Sequence, residues 1–292
     1  MNEFIQTILS GISIGCVYGL VALGFVLIFK ATEVINFAQG ELLMLGAFLC
    51  YTLITFLNFP YWAALLVTII LMGLFGLVLE RTVLRSLVGE PVYAIVIVTI
   101  GISFFLRSAV SMIPGWGTDT YGFQTPFTEQ YVRTGQLVLS WEQLSVIMIA
   151  AILIVILFSF FRYTRVGTAM RATSQNQLAA VYMGISVTRV FSLTWTIAAV
   201  LGGIGGILLA PITFVHMNMG FIGLKAFPAA VLGGFRSLPG AIVGGLIIGI
   251  TESLAGFYLP KGWKDVAAWI ILIGVLMIRP QGLFGIQEKK KV

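Results

Sequence analysis

The sequence predicts an all-α polytopic membrane protein, and three observations carry that prediction. Of its 292 residues, 59% are hydrophobic and only 10% are charged. The apolar residues run in continuous stretches, and the polar residues gather at the joins between them. Soluble domains carry about 25% charged residues, so a chain this poor in charge has too little polar surface to remain soluble once folded. Helices satisfy their own backbone hydrogen bonds in hydrocarbon. A membrane β-barrel would instead show alternating strands of about ten residues. About 8–10 transmembrane helices are expected, each near 20 residues, in a single transmembrane domain over residues 1–292.

Nine apolar segments follow in order. The first, 5–29, begins MNEFIQTIL without a basic region or a small-residue cleavage site, so it reads as a retained span. It carries Gly11, Gly15 and Gly19 at four-residue spacing, a ridge that lets another helix approach closely. The join VINFAQGEL puts Asn36, Gln39 and Glu41 between apolar runs. Two readings stand for it: a half-helix N-terminus that attracts an anionic group, or a cytoplasmic turn with Glu41 near a helix start. Segments 41–57, 62–84 and 92–113 come next; Arg107, near the end of the last, reads as snorkelling to the outer surface. The loop of about 114–142 is too small for a catalytic domain but long enough for a lid or docking surface.

After segment 143–161 comes RVGTAMRATSQNQLAAVYMGI, residues 165–185, a polar and basic island between apolar runs. Ala169, Met170, Ala172 and Leu178 favour helix, and Ser174 or Asn176 suits a cap for a second helix. Its small residues favour contact with another protein over rest on lipid, which would select large apolar groups along one face. Segment 189–212 contains GGIGGI, inside an apolar run and without the preceding strand a phosphate cradle needs. The single histidine, His216, lies in the apolar outer loop FVHMNMG, where a structural or interfacial role is expected. Segment 222–235 is too short to span alone and reads as a half-helix; Lys225 there either attracts a carboxylate or anchors the helix end. Segment 239–258 carries Glu252 as its deep acid, lining a pathway or making an interhelical contact, with Gly240, Gly244, Gly245 and Gly249 as further close-packing positions. Segment 265–279 ends the series.

Basic residues set the orientation. With the N-terminus outside, Lys30, Arg81, Arg85, Arg162, Arg165, Arg171, Arg189, Arg236, Arg279 and Lys289 to Lys291 fall in the cytoplasm. Arg107, Arg133, Lys225, Lys261 and Lys264 fall outside, twelve against five, and the C-terminus is cytoplasmic. Nucleotide hydrolysis by this chain is not expected, because no G-x-x-x-x-G-K-[ST] run occurs. Cys16 and Cys50 lie in apolar runs, giving neither a disulfide framework nor metal spacing. No cofactor, metal or catalytic residue is therefore assigned.

LAAVYMG, residues 178–184, resembles the Glu-Ala-Ala-x-x-x-Gly loop of ABC importer permeases: Ala179, Ala180 and Gly184 match, and Leu178 replaces the acid. INFAQGEL, AMRATSQNQLAAVYMGI, KAFPAAVLGG, LPGAIVGGLIIG and RPQGLFG resemble, in the same order, stretches of the branched-chain amino acid ABC transporter permeases. The likeness is nearer the LivH-type than the LivM-type subunit. It implies the ABC importer permease fold and a place in the bacterial inner membrane. The implied partners are a second permease (LivM-type, or another copy), two ABC ATPase subunits that use ATP, and an extracytoplasmic solute-binding protein. The substrates implied are Leu, Ile and Val.

The resemblance makes residues 162–188 the cytoplasmic coupling loop, with Arg165, Gly167, Met170, Arg171, Ala172, Asn176, Ala179, Ala180 and Gly184 at the ATPase contact. Asn36, Gln39, Glu41, Lys225, Phe227 and Glu252 are expected near the translocation path or its gates. Two alternatives remain. The same machine can carry another small solute, such as urea, an amide or another amino acid. A stand-alone secondary transporter would depend on Glu41 or Glu252 as its titrating carboxylate.

Overall fold

In a computed structural model, residues 2–117, 119–122, 125–128, 130–134 and 137–285 are described. Lys289 to Lys291 and the side chain of Arg133 lie outside them. The chain begins with α1 (Asn2–Thr32), α2 (Gln39–Thr55), α3 (Tyr61–Thr82) and α4 (Val92–Met112). A two-stranded antiparallel hairpin follows, β1 (Tyr131–Thr134) and β2 (Leu137–Ser140). Next come α5 (Trp141–Tyr163), the short α6 (Arg165–Gln175) and α7 (Gln177–Tyr182), and the long α8 (Val187–Thr213). Two pieces, α9 (Met219–Leu224) and α10 (Ala226–Gly233), precede α11 (Leu238–Tyr258) and α12 (Trp263–Ile278).

Among the described residues, six helices are long and apolar enough to cross a membrane: α1, α3, α4, α5, α8 and α11. The starts are chemically marked. Pro60 and Pro91 precede α3 and α4, and Ser140 caps α5 by accepting from the Glu142 amide. Ser237 accepts from the Gly240 amide, with Pro239 in the first turn of α11. Proline costs nothing there, because that turn has no acceptor for its missing N–H.

The two most buried spans, α1 and α8, form the centre of the bundle. They run antiparallel, with Gly24 beside the Ala198 carbonyl and Val17 and Val21 beside Gly205. Each is followed by a break that turns back into the protein. After α1, residues 33–38 re-enter, with Val34, Asn36 and Ala38 fully or almost fully buried. The following α2 begins level with the middle of α8, since the Gln39 side chain reaches the Ala198 carbonyl. After α8, Phe214 at φ +62° reverses the chain into α9. The expected half-helix at 222–235 is thus two short helices joined at Lys225, together about 22 Å long.

The outer helices bury little of their surface within the chain. Only 17% of the α4 span and 28% of the α3 and α5 spans are buried within the chain. Glycine faces account for the close packing at the centre. Gly11 and Gly15 meet Gly249, Ile250, Gly245 and Leu246 of antiparallel α11, while Gly240 and Gly244 turn the other way onto Gly233 and Ala229 of α10.

Candidate functional site

The re-entrant segment builds a buried polar belt. Asn36 Oδ1 accepts from the Ala38 amide at 3.0 Å, and its Nδ2 donates to Gln39 Oε1 at 3.2 Å. Gln39 Nε2 donates to the Ala198 carbonyl at 2.9 Å, and the Phe37 amide donates to Thr99 Oγ1 of α4 at 3.3 Å. Unwound backbone inside a membrane protein survives only where protein meets its hydrogen bonds. These side chains do that, so Asn36 and Gln39 hold the break between α1 and α2.

Near the start of α2, Glu41 pairs with Arg107 of α4. The guanidinium also lies 3.9 Å from the Phe221 ring centroid on α9. Arg107 therefore does not snorkel outward. Its nearest carboxylate is inside, and its side chain is only 18% exposed. Gly220 leaves the space that the Glu41 carboxylate fills, and Gly40 packs on the α9 backbone at Gly220 and Gly223.

A second ion cluster gathers at the break between α9 and α10. Lys225 Nζ donates to Glu252 Oε1 of α11 at 2.8 Å and to Asp265 Oδ1 at the start of α12 at 2.6 Å. The Tyr18 hydroxyl of α1 donates to Glu252 Oε2 at 2.6 Å. Lys225 thus ties α11 and α12 to the break, and both carboxylates considered for proton coupling, Glu41 and Glu252, are already engaged with cations. Phe227 sits in an aromatic group with Phe25, Phe37 and Phe235, between α1, the re-entrant segment and α10. The sequence separately marks Asn36, Gln39, Glu41, Lys225, Phe227 and Glu252; the fold collects them around α2, α9 and α10. It adds Arg107, Tyr18, Thr99 and Asp265, whose partners lie too far away in sequence for any local pattern to reveal.

Residues 165–185 fold as a helix pair. Thr164 accepts from the Gly167 amide and Asn176 from the Ala179 amide, so each short helix has a side-chain cap. Gly167, Met170 and Ala180 turn inward; Gly167 packs on the backbone of Phe160 and Phe161. Arg165, Arg171, Asn176, Ala179 and Gly184 are exposed, and Ala172 is half-buried. Around Ala179, Leu178, Val181, Tyr182 and Met183 are 72%, 54%, 87% and 82% exposed. Gln177 Nε2 donates to the Ala31 carbonyl at 3.2 Å, linking this corner to the end of α1 beside the re-entrant segment. Removing the second cap by Asn176→Ala is expected to cost about 1 kcal/mol locally. Amide hydrogen exchange at 179–182 would then accelerate about fivefold, without change in the central helices.

At the opposite end, the Tyr121 and Val215 backbones bridge the long loop to the α8–α9 turn. Burial in that turn lowers the pKa of His216 below its ordinary range, favouring neutral imidazole. No group of three or more His, Cys, Asp or Glu able to hold a metal occurs among the described residues.

The family model described as "Branched-chain amino acid transport system / permease component" matches residues 7–278. The chain is 32% identical to the high-affinity branched-chain amino acid transport system permease protein LivH of Escherichia coli, covering 99% of this chain and 98% of that one. It is 31% identical, with the same coverage, to the corresponding permease protein BraD of Pseudomonas aeruginosa. Identity to the probable branched-chain amino acid transport permease LivH of Methanocaldococcus jannaschii is 28%, over 93% of this chain and 89% of that one. No solved structure matches the chain.

Proposed function

The chain belongs to the branched-chain amino acid transport permease family, and from that premise we propose that it is the LivH-type subunit of an ATP-driven importer of Leu, Ile and Val. It supplies a membrane path and no nucleotide site; ATP is hydrolysed by two ABC ATPase subunits on its cytoplasmic side. A second permease, LivM-type or another copy, completes the path, and an extracytoplasmic binding protein delivers substrate. The N-terminus lies outside and the C-terminus in the cytoplasm of a bacterial inner membrane, in keeping with the excess of Lys and Arg at the end bearing α6 and α7.

The observation that carries the coupling part is the exposed corner of Leu178, Val181, Tyr182 and Met183 on a short, capped and otherwise polar helix pair. Clustered large apolar side chains at a water-facing end mark a protein contact, here with the ATPase. Ala179 and Gly184 lie among them along the chain; Arg165, Arg171 and Asn176 of the same helix pair are also exposed, while Gly167, Met170 and Ala180 are buried and anchor the pair to the protein. Motion of this corner reaches the path through Gln177 and the end of α1, next to Asn36 and Gln39. Glu41, Lys225, Phe227 and Glu252 form the adjoining gate, where α2 meets the broken α9–α10.

The test is ATP-dependent leucine uptake by the reconstituted complex. Tyr182→Asp combined with Met183→Asp is expected to reduce uptake at least about tenfold and to lose the co-purifying ATPases, a loss of about 1.4 kcal/mol or more of docking energy. Both side chains are over four-fifths exposed, so the permease itself should remain folded. Uptake by the permease alone under an ion gradient would replace this reading with a secondary transporter. Selective uptake of urea or another solute would replace the substrate.

A further inference from the structure

A solvent-open cleft of about 490 Å³ lies between the first turns of α1, the last turns of α11 and the start of α12. In the orientation proposed above, this is the outer end of the protein. Its lining is unusual for spanning helices. Lys264 contributes an ammonium, Glu3 and Glu252 contribute carboxylates, and Thr7, Ser10 and Ser253 contribute hydroxyls. Charged and hydroxyl groups on such helices are costly unless they face water or a polar partner.

We propose that this cleft is an entry site for the zwitterionic head of an α-amino acid, with Lys264 receiving the carboxylate and Glu252 and Glu3 the ammonium. The inference rests on the importer reading above and names where the permease first contacts its solute. Within the chain, Glu252 is paired closely with Lys225 and only loosely with Lys264. Glu252 is 3% exposed and already accepts from Lys225 and Tyr18, which fixes its carboxylate at the cleft wall. Lys264 Nζ stands 4.0 Å from Glu252 Oε1 with a half-exposed side chain, within reach of the carboxylate yet free to turn to a ligand. Gly256 lets the Lys264 stem lie flat on α11, since a Cβ there would stand 3.3 Å from the Lys264 Cδ. Phe257, about half exposed beside them, offers the apolar wall that an aliphatic side chain needs.

A solute carboxylate that draws Lys264 from its loose contact with Glu252 removes that cation from the acidic side of the cleft, and an ammonium on the same solute replaces it beside Glu252 and Glu3. A zwitterion matches both, and each charged hydrogen bond is stronger than a neutral one. The site is shallow and open, which suits transfer from a binding protein rather than storage.

The experiment uses Ser253→Cys in the purified permease–ATPase complex without binding protein, with the unsubstituted complex as the blank for Cys16 and Cys50. L-Leucine is expected to slow labelling by a small thiol reagent about threefold at twice its dissociation constant. Leucinamide, which lacks the carboxylate, and 4-methylpentanoate, which lacks the ammonium, should not. Lys264→Ala in the same background should remove the protection, and Lys264→Arg should retain it. Labelling unaffected by leucine, or slowed equally by either single-charge analogue, overturns the site. ATP-dependent leucine uptake by the unsubstituted complex with binding protein present keeps that failure distinct from failure of the importer reading.

Discussion

Arg107→Ala is expected to eliminate most folded permease from the membrane. The substitution removes the cation from a carboxylate that is 3% exposed. Deleting one partner of a buried pair costs about 3–5 kcal/mol, because the remaining charge keeps its desolvation penalty. The loss of the guanidinium from Phe221 adds to this. Glu41 Oε2 and Arg107 Nε are already buried without a hydrogen-bond partner among the described residues, so the site has little spare capacity to compensate. Glu41→Leu combined with Arg107→Leu should recover much of the yield, since neither charge is then stranded. Yield and monodispersity in detergent, with thermal inactivation of uptake, measure both. Wild-type behaviour of Arg107→Ala would show that the pair does not hold α2, α4 and α9 together.

Gly245→Leu is expected to be as damaging, for a steric reason. A Cβ at Gly245 overlaps the backbone of Gly19 and Gly15 on α1, and backbone cannot swing aside as a side chain can. The antiparallel α1–α11 contact would have to open along its length, at a cost well above the about 1–3 kcal/mol of ordinary overpacking. Gly101→Leu provides the control. Gly101 lies on the exposed face of α4, and a Cβ there would have nothing within 4 Å, so a leucine enters lipid. Loss of assembly in Gly245→Leu beside normal assembly in Gly101→Leu is the predicted pair of results; equal behaviour of the two would refute the interface.

These two substitutions separate what is readable along the chain from what is not. The eight longer segments are legible to within a few residues: 189–212 corresponds to Val187–Thr213, and 239–258 to Leu238–Tyr258. The helical character of the polar island and a cap at Ser174 or Asn176 are also legible, because caps and helix formers act over one turn; the structure selects Asn176 and a pair of helices. Arg107 is not. Its local sequence, near the end of an apolar helix, matches a snorkelling arginine, and nothing within four residues announces Glu41, 66 positions away.

By itself, the sequence determined that this chain lives in lipid as helices, where those helices begin and end, where the chain breaks, and which family it resembles. Each of these depends on the hydropathy, capping or motif of neighbouring residues. Only the tertiary structure decided which glycine ridge meets which helix and that Lys225 ties α11 and α12 to the α9–α10 break. It also decided that the re-entrant Asn36 and Gln39 are satisfied by α8. In hydrocarbon every polar group seeks a partner, but the partner is chosen by which helices become neighbours, a property of the assembled bundle and of no single stretch of chain.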